Sequence, residues 1–102
     1  MNAPEIFAQI VDRKLYDVED ATLLADDVFW DGNNMERNGR NTFLYRSTRG
    51  AYFTVTLSQW QGEDDKLDVM GEDDAYSLYE GPLTEHYVDY ADAFPNVEIV
   101  AA

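Results

Sequence analysis

The segment at residues 41–60 constrains the fold of this 102-residue chain more than any other. Large side chains alternate with smaller or polar ones on both sides of a short turn, which is the period-two pattern of β-strands. Gly50 supplies the positive φ that the last position of a three-residue loop requires. Such a loop sets one register, in which three pairs of residues face each other: Ser47 with Ala51, Tyr45 with Phe53, and Phe43 with Val55. The sequence therefore predicts a β-hairpin.

Short segments with strand and turn signals surround this hairpin. Residues 4–11 fit either a short helix or a strand, and residues 13–17 fit a strand end or a turn. Residues 21–30 predict a strand anchored by apolar side chains, and residues 31–34 predict a turn. At the C-terminus, residues 97–100 predict a short final strand. The anchors of the strand at 21–30 are Leu23, Val28 and Trp30.

Two consecutive nine-residue segments, 62–70 and 71–79, each begin with a glycine and a run of acids. We interpret them as two antiparallel strands joined by a turn at 71–74. Nine-residue Gly-Asp repeats also occur in calcium-binding β-helices, but the Gly-x-Gly-x-Asp pattern is missing here, which favours a turn over an ion site. The side chains that would point inward are Leu67, Val69, Tyr76 and Leu78.

The strongest helix prediction covers residues 82–94. Thr84 is a candidate N-cap, and Pro95 would end the helix. Helical spacing would place four apolar residues in one stripe: Leu83, Tyr87, Ala91 and Phe94. It would place three acids in a ridge that faces solvent: Glu85, Asp89 and Asp92.

Together these elements predict an α+β fold in a single domain, residues 1–102. The expected architecture is an antiparallel β-sheet of about four to six strands, connected as hairpins or a meander, with one C-terminal helix packed on it. A short N-terminal helix is an additional expectation that residues 4–11 leave open.

The net charge of −14 limits the partners that this chain can bind. Small soluble domains usually carry a net charge of about 2 to 8 in magnitude. Residues 37–62 hold four arginines and no acid, whereas the segments before and after hold nine and twelve acids. Contacts to phosphates need Lys and Arg, so the composition argues against direct binding to nucleic acid or to an anionic membrane. The same charge would steer the chain toward a basic partner.

Cysteine is absent, which excludes a disulfide framework and a thiolate metal site. No apolar run approaches the roughly 20 residues of a membrane span, and the N-terminus lacks the features of a signal peptide. We therefore expect a cytoplasmic protein.

The residues that could catalyse a reaction lack suitable surroundings. His86 is predicted on the solvent side of the helix at 82–94, where histidine is usually inert. Paired carboxylates occur in segments that we interpret as solvated, and neighbouring strand residues point to opposite faces. No EF-hand spacing or glycine-rich phosphate loop is present. The sequence predicts a protein that is not an enzyme and binds no cofactor. The three carboxylate pairs are Asp26-Asp27, Asp64-Asp65 and Asp73-Asp74.

Three local patterns carry a resemblance to a known group of proteins. Residues 14–21 resemble a Lys-x-Tyr-Asp-Thr-x-Thr-Ala segment, with Val18 and Asp20 in place of its threonines. Residues 44–53 resemble a Leu-Tyr-Arg-Thr-x-x-Gly-x-Tyr-Phe hairpin, and residues 82–85 resemble the start of its C-terminal helix. In this order the patterns are similar to those of small proteins encoded by phages, plasmids and genomic islands. The resemblance implies a mobile-element accessory protein, a group that includes anti-CRISPR and anti-restriction inhibitors.

Charge and resemblance together favour an inhibitor that occupies a basic nucleic-acid-binding surface of a host nuclease complex, either a CRISPR effector or a restriction enzyme. The residues predicted to bind this partner are Glu63, Asp64, Asp65, Asp68, Glu72, Asp73, Asp74, Glu85, Asp89 and Asp92. An alternative is a regulatory or structural module whose hairpin recognises its partner through Arg46 and Arg49. Two further interpretations stay open: a small-molecule or metal-binding enzyme fragment, and an acidity that serves only solubility or a high-salt habitat.

Overall fold

A computed structural model describes residues 3–27, 40–58, 62 and 64–96 of the chain. Its fold is α+β, as the sequence predicts. The predicted turn at 31–34 and the predicted strand at 97–100 lie outside the described residues. The strands are β1 (Ala8–Val11), β2 (Lys14–Asp17), β3 (Thr22–Asp26), β4 (Arg40–Arg46), β5 (Tyr52–Ser58), β6 (Lys66–Met70) and β7 (Glu85–His86). The helices are α1 (Glu72–Glu80) and α2 (Tyr90–Ala93), and a 3₁₀ turn spans Val18–Asp20.

An antiparallel sheet with the strand order β6-β5-β4-β3-β7 forms the centre of the molecule. Strands β1 and β2 pair with each other in a separate antiparallel hairpin. This hairpin and the 3₁₀ turn pack on one face of the sheet, whereas α1 and α2 pack on the other. The central strands are therefore covered on both faces.

The β4–β5 hairpin has the predicted register. Phe43 lies opposite Val55, and Tyr45 lies opposite Phe53. The loop closes with the Ser47 amide donating to the Ala51 carbonyl at 2.8 Å. Gly50 has a φ of +86°, the left-handed conformation that this loop position requires.

The odd-numbered side chains of the hairpin form a core with the N-terminal layer. The Phe53 ring stacks on the Tyr45 ring, with centroids 5.3 Å apart, and meets the edge of the Tyr16 ring at 5.5 Å. Such aromatic pairs stabilise a core by about 0.5–1.5 kcal/mol beyond the area that they bury. The buried members of this core are Tyr16, Val18, Phe43, Tyr45, Phe53, Val55 and Leu67.

The even-numbered side chains form a second core with the helical layer. The ring centroid of Phe94, which is fully buried, lies 5.2 Å from those of Tyr52 and Tyr90. The Tyr52 hydroxyl donates to the Ala93 carbonyl at 2.9 Å, which ties α2 to the sheet. The buried members are Leu24, Ala25, Leu44, Tyr52, Ala75, Tyr79, Leu83, Ala93 and Phe94.

A β-bulge in β3 supplies two of these residues. Leu23 lies opposite Tyr45, but Ala25 lies opposite Leu44, so that Leu24 is the extra residue. The shift allows the consecutive residues Leu24 and Ala25 both to enter the helical-side core. Within the predicted strand at 21–30, residues Thr22–Asp26 form β3. The predicted anchors Val28 and Trp30 lie outside the described residues.

The N-terminal segment forms strands. Of the two options for residues 4–11, the strand is correct, because β1 pairs with β2 over four residue pairs from Ala8↔Asp17 to Val11↔Lys14. The two turn residues, Asp12 and Arg13, have φ values of +51° and +64°. The expected short N-terminal helix is therefore wrong.

The prediction of two strands at 62–79 is half wrong. Residues Lys66–Met70 form β6, but the second nine-residue segment forms α1. Three acids in the first turn favour a helix because they lie at the positive end of its dipole. Ala75 and Tyr79, four residues apart, bury one stripe of this helix, whereas Val69 of β6 is exposed rather than inward-pointing.

The prediction of a helix at 82–94 is wrong. Residues Glu85–His86 form the edge strand β7, and the Tyr87 amide donates to the Leu24 carbonyl of β3 at 2.9 Å. Leu83 and Phe94 are buried as expected, but Tyr87 is 57% exposed. The physical reason is that the open edge of β3 offers backbone partners to this segment. Helical structure is confined to α2, whose N-cap is Asp89 rather than Thr84.

His86 lies on β7 rather than in a helix, although it is exposed as predicted. Its ring stacks on the Tyr79 ring at 3.8 Å, and its Nε2 lies 2.7 Å from the Tyr79 carbonyl and 2.9 Å from that of Leu83. An N–H at Nε2 therefore donates to the Tyr79 carbonyl in the last turn of α1, which lacks a partner within the helix, and to the Leu83 carbonyl in the segment that follows. The position of His86 is explained by this structural role.

Gly50 provides a test of the loop conformation. We expect Gly50→Ala to lower the free energy of unfolding by about 1 kcal/mol, because a Cβ strains a left-handed backbone. The added Cβ would meet only the Arg46 Nη2 at 3.7 Å, an ordinary contact, so that strain rather than a clash is measured. Asparagine tolerates the left-handed conformation better than alanine, so Gly50→Asn should lower the free energy of unfolding by less. Equal stability of all three proteins in urea denaturation would contradict the prediction.

The capping role of His86 can be separated from its ring stacking. We expect His86→Phe to lose about 1 kcal/mol of stability, because the ring remains but the donor to the carbonyls of Tyr79 and Leu83 is removed. His86→Ala should lose about 0.5–1.5 kcal/mol more through the missing stack. Urea denaturation of both variants measures these losses. If His86→Phe is as stable as the parent protein, the hydrogen bond does not cap α1.

Candidate functional site

The helical layer presents an acidic surface without any basic residue in its sequence. Residues 67–96 contain eight acids and neither lysine nor arginine. This segment covers one face of the sheet and reaches both of its edges, because β6 and β7 are the outermost strands. Glu72 is half-buried, and the other seven acids are exposed. Glu85 pairs with Asp26 of β3, so its side chain lies on the other face of the sheet. We call the remaining seven residues the acidic face: Asp68, Glu72, Asp73, Asp74, Glu80, Asp89 and Asp92.

Tyrosines lie among the carboxylates of the acidic face. The Tyr90 hydroxyl donates to the Glu80 carboxylate at 2.9 Å. Partial burial and then this hydrogen bond raise the pKa of Tyr90 to about 12. A hydrogen bond to Asp73 is the largest of the causes that raise the pKa of Tyr76. These contacts orient two of the carboxylates on the surface of α1.

The ten acids that the sequence predicts as one binding surface lie in two separate regions of the structure, apart from Glu63. Asp64, Asp65 and Asp68 lie before or on β6, and the three acids of residues 72–74 follow directly at the start of α1. Glu85 lies on β7 at the opposite edge of the sheet, with Asp89 and Asp92 at α2. Glu63 lies outside the described residues.

Asp65 differs from its neighbours because it has a structural partner. Its carboxylate accepts a hydrogen bond from the Ser58 backbone amide at 3.1 Å, across the connection from β5 to β6. Substitution of Asp65 would therefore change both the charge and the local backbone. Asp74 and Asp68 are exposed and are better suited to a test of charge.

The pair Asp26-Asp27 is buried, which corrects its interpretation as solvated. Asp26 is 2% exposed and accepts a hydrogen bond from the Tyr87 hydroxyl at 2.8 Å. Asp27 is 9% exposed and accepts from the Thr42 amide at 2.9 Å and from the Asn41 side chain at 3.1 Å. These bonds connect the end of β3 to β4 and to the residue after β7. The sequence shows an acidic pair here but no sign of its burial.

A groove of about 700 Å³ lies between the turn that connects β1 to β2 and the loop that connects β4 to β5. Arg13 and Lys14 line it from the first hairpin, and Arg49 lines it from the second. Arg46, the other arginine of the predicted recognition hairpin, is half-buried, and its guanidinium lies beside Tyr52. Arg46 and Arg49 thus have different surroundings. The sequence does not predict this groove.

In the part of the chain that the structure describes, no group of three or more His, Asp or Glu side chains is placed to hold a metal ion. None of the described helices is long and apolar enough to cross a membrane.

Comparison of the chain with protein-family models, with curated proteins and with solved structures found no match.

Two tyrosines near Asp26, Tyr45 and Tyr87, predict an alkaline loss of stability. Burial, followed by the negative charge of Asp26, raises the pKa of Tyr45 to about 12. Partial burial, followed by the hydrogen bond to Asp26, raises the pKa of Tyr87 to about 12. Tyrosine in an unfolded chain titrates near pH 10. Because the folded pKa is the higher one, the stability from the neutral hydroxyls is fully present below about pH 10 and is lost as the pH rises through about 12.

Ultraviolet titration of tyrosinate measures this effect. We expect the native protein to ionise at higher pH than the same protein in guanidinium chloride, and urea stability to fall above about pH 10. Tyr87→Phe should remove one of the late-titrating groups. Coincident native and unfolded titration curves would contradict the prediction.

Proposed function

We propose that this protein is a non-enzymatic anti-defence inhibitor that binds a basic, nucleic-acid-binding surface of a host nuclease complex through its acidic face. The observation that supports this most is the distribution of charge. Residues 67–96, from β6 to the end of the helical layer, hold eight acids and neither lysine nor arginine.

Charge separation within the fold strengthens this argument. A net charge that served only solubility would need no particular arrangement. Here three cations, Arg13, Lys14 and Arg49, line the groove beside the N-terminal hairpin. Residues 71–96 of the helical layer contain acids but neither lysine nor arginine, and Arg46, on the same side of the sheet, is half-buried beside Tyr52. A surface of one sign increases the rate at which a surface of opposite sign is encountered and disfavours wrong partners.

The class of partner follows from the same electrostatics. An enzyme that binds DNA or RNA must expose Lys and Arg to contact phosphates. An acidic protein that covers this surface also gains a release of counterions, from its own carboxylates and from the basic surface, and so competes with nucleic acid for the same site. Binding to such a partner would place the protein in the cytoplasm of the host. The resemblance to phage, plasmid and genomic-island proteins makes a CRISPR effector or a restriction enzyme the preferred target.

Two hydrogen bonds favour a preformed binding surface. The Tyr90 hydroxyl donates to the Glu80 carboxylate, and the Tyr52 hydroxyl ties α2 to the sheet through the Ala93 carbonyl. Fewer side chains then lose freedom on binding, which lowers the entropy cost of association.

Matched charge variants test the proposal. The face variant combines Asp68→Asn, Asp74→Asn and Asp92→Asn, all at exposed positions on the helical side. The control variant combines Glu5→Gln, Asp12→Asn and Glu19→Gln, which are exposed in the N-terminal layer. Both variants lose three negative charges, so they differ only in where the charge is removed.

The immobilised proteins would be incubated with lysate of the cell that carries the gene and eluted with increasing salt. We expect the parent and control proteins to retain a nuclease subunit that elutes as the salt rises. The face variant should bind it about tenfold more weakly, at an estimated 0.2–1 kcal/mol for each exposed charge pair. The same ranking is expected for protection of a phage or plasmid from CRISPR or restriction activity.

Three outcomes would contradict the proposal. Retention that does not change with ionic strength would exclude an electrostatic mechanism. Equal weakening by both triple variants would show that net charge, and not the acidic face, determines binding. The absence of any nucleic-acid enzyme among the retained proteins would exclude the proposed class of partner.

A further inference from the structure

The groove between the two hairpin turns has a chemistry opposite to that of the acidic face. Three cations, Arg13, Lys14 and Arg49, converge on it from segments that are far apart in the sequence. The whole chain has only seven lysines and arginines. Such a concentration of cations in one concave place is unusual for a protein with a net charge of −14 and requires an explanation.

Folding does not account for the arginine in the β1–β2 turn. Asp12 and Arg13 both have a positive φ, as the two central residues of a tight two-residue hairpin turn do. Glycine is the preferred second residue in such a turn, because a side chain strains the left-handed backbone. An arginine that is disfavoured by its backbone and lines a groove indicates a role for its guanidinium. Strained residues of this kind cluster at ligand-binding sites.

The remaining walls of the groove offer a hydroxyl and an apolar surface. The Ser47 Oγ accepts a hydrogen bond from the Ala51 amide at 3.0 Å, which leaves its own O–H proton available to a ligand. Leu15 is 63% exposed and lines the groove beside the buried Tyr16. A ligand could therefore combine a charged head with an apolar body.

Two carboxylates, Asp17 and Asp20, also line the groove. Asp17 accepts a hydrogen bond from the Glu19 amide at 2.9 Å, so its charge is partly compensated. The three cations still outnumber the two acids. Charges on the distant acidic face are screened over a Debye length of about 8 Å at physiological salt.

We propose that this groove binds a small organic oxyanion, a phosphate or carboxylate attached to an apolar group. Arg13 and Arg49 bind the oxygens through their guanidinium groups, which are suited to paired hydrogen bonds with phosphate or carboxylate. Lys14 adds a third charge, and Leu15 packs against the apolar part. This site is separate from the acidic face and does not depend on the function proposed for it.

Phenyl phosphate tests for a phosphate head group, and benzoate tests for a carboxylate head group. Inorganic phosphate is the probe without an apolar group. We expect saturable amide shifts in NMR titrations, confined to residues 12–16 and 47–51, with a Kd of about 1 mM for the better aromatic probe. Inorganic phosphate should bind more weakly, because it does not contact Leu15. The tighter of the two aromatic probes identifies the head group.

Arg13→Gly is the decisive variant, because glycine suits the turn but cannot bind the ligand. We expect its affinity for the better probe to fall by about tenfold or more, while its melting temperature stays the same or rises. The control is Lys66→Gln, at an exposed position on β6, which makes the same change in net charge and should leave the affinity unchanged.

Three results would overturn the proposal. One is that neither aromatic probe gives saturable shifts in the groove. Another is that Arg13→Gly binds as well as the parent protein while remaining folded. The third is an equal loss of affinity in Lys66→Gln, which would show that net charge alone controls binding. None of these results bears on binding by the acidic face.

Discussion

The β4–β5 hairpin carries side chains that require burial on both of its faces. Phe53 and Tyr45 point to the N-terminal layer, and Tyr52 and Leu44 point to the helical layer. Full burial of one such side chain contributes about 1.5–3 kcal/mol, whereas a two-stranded ribbon alone is marginally stable in water. The hairpin is therefore stable only between two covering layers, and the chain before it and the chain after it provide one layer each. The remaining structure depends on this requirement.

The surface chemistry follows from the same arrangement. The helical layer turns Ala75, Tyr79 and Phe94 toward the sheet, so its acids remain at the surface. The N-terminal layer instead ends in a tight turn that brings Arg13 beside the loop of the central hairpin. Two surfaces of different character result, one suited to a basic macromolecular partner and the other to a small anion. Each is formed on elements that the central hairpin positions.

The candidate sites were predictable from the sequence to different degrees. The acidic composition of residues 67–96 is visible in the sequence, and exposure of most of these acids follows from the cost of burying charge. The burial of Asp26 and Asp27 was not visible, because it depends on the hydroxyl of Tyr87 and the amide of Thr42. The groove could not be predicted, because its cations come from separate hairpins. The one available signal was an Asp-Arg pair at a turn that favours glycine.

The sequence by itself determined the register of the central hairpin, since the loop length, Gly50 and the alternation of side chains are local and agree. It also determined the charge. Only the tertiary structure decided that the segment after β6 is a helix and that the segment before α2 adds a strand. Residues 71–79 fit both a two-residue and a helical period, and packing of Ala75 and Tyr79 against the sheet selects the helix. The strand Glu85–His86 exists because β3 has an open edge, and that edge is present only in the folded protein.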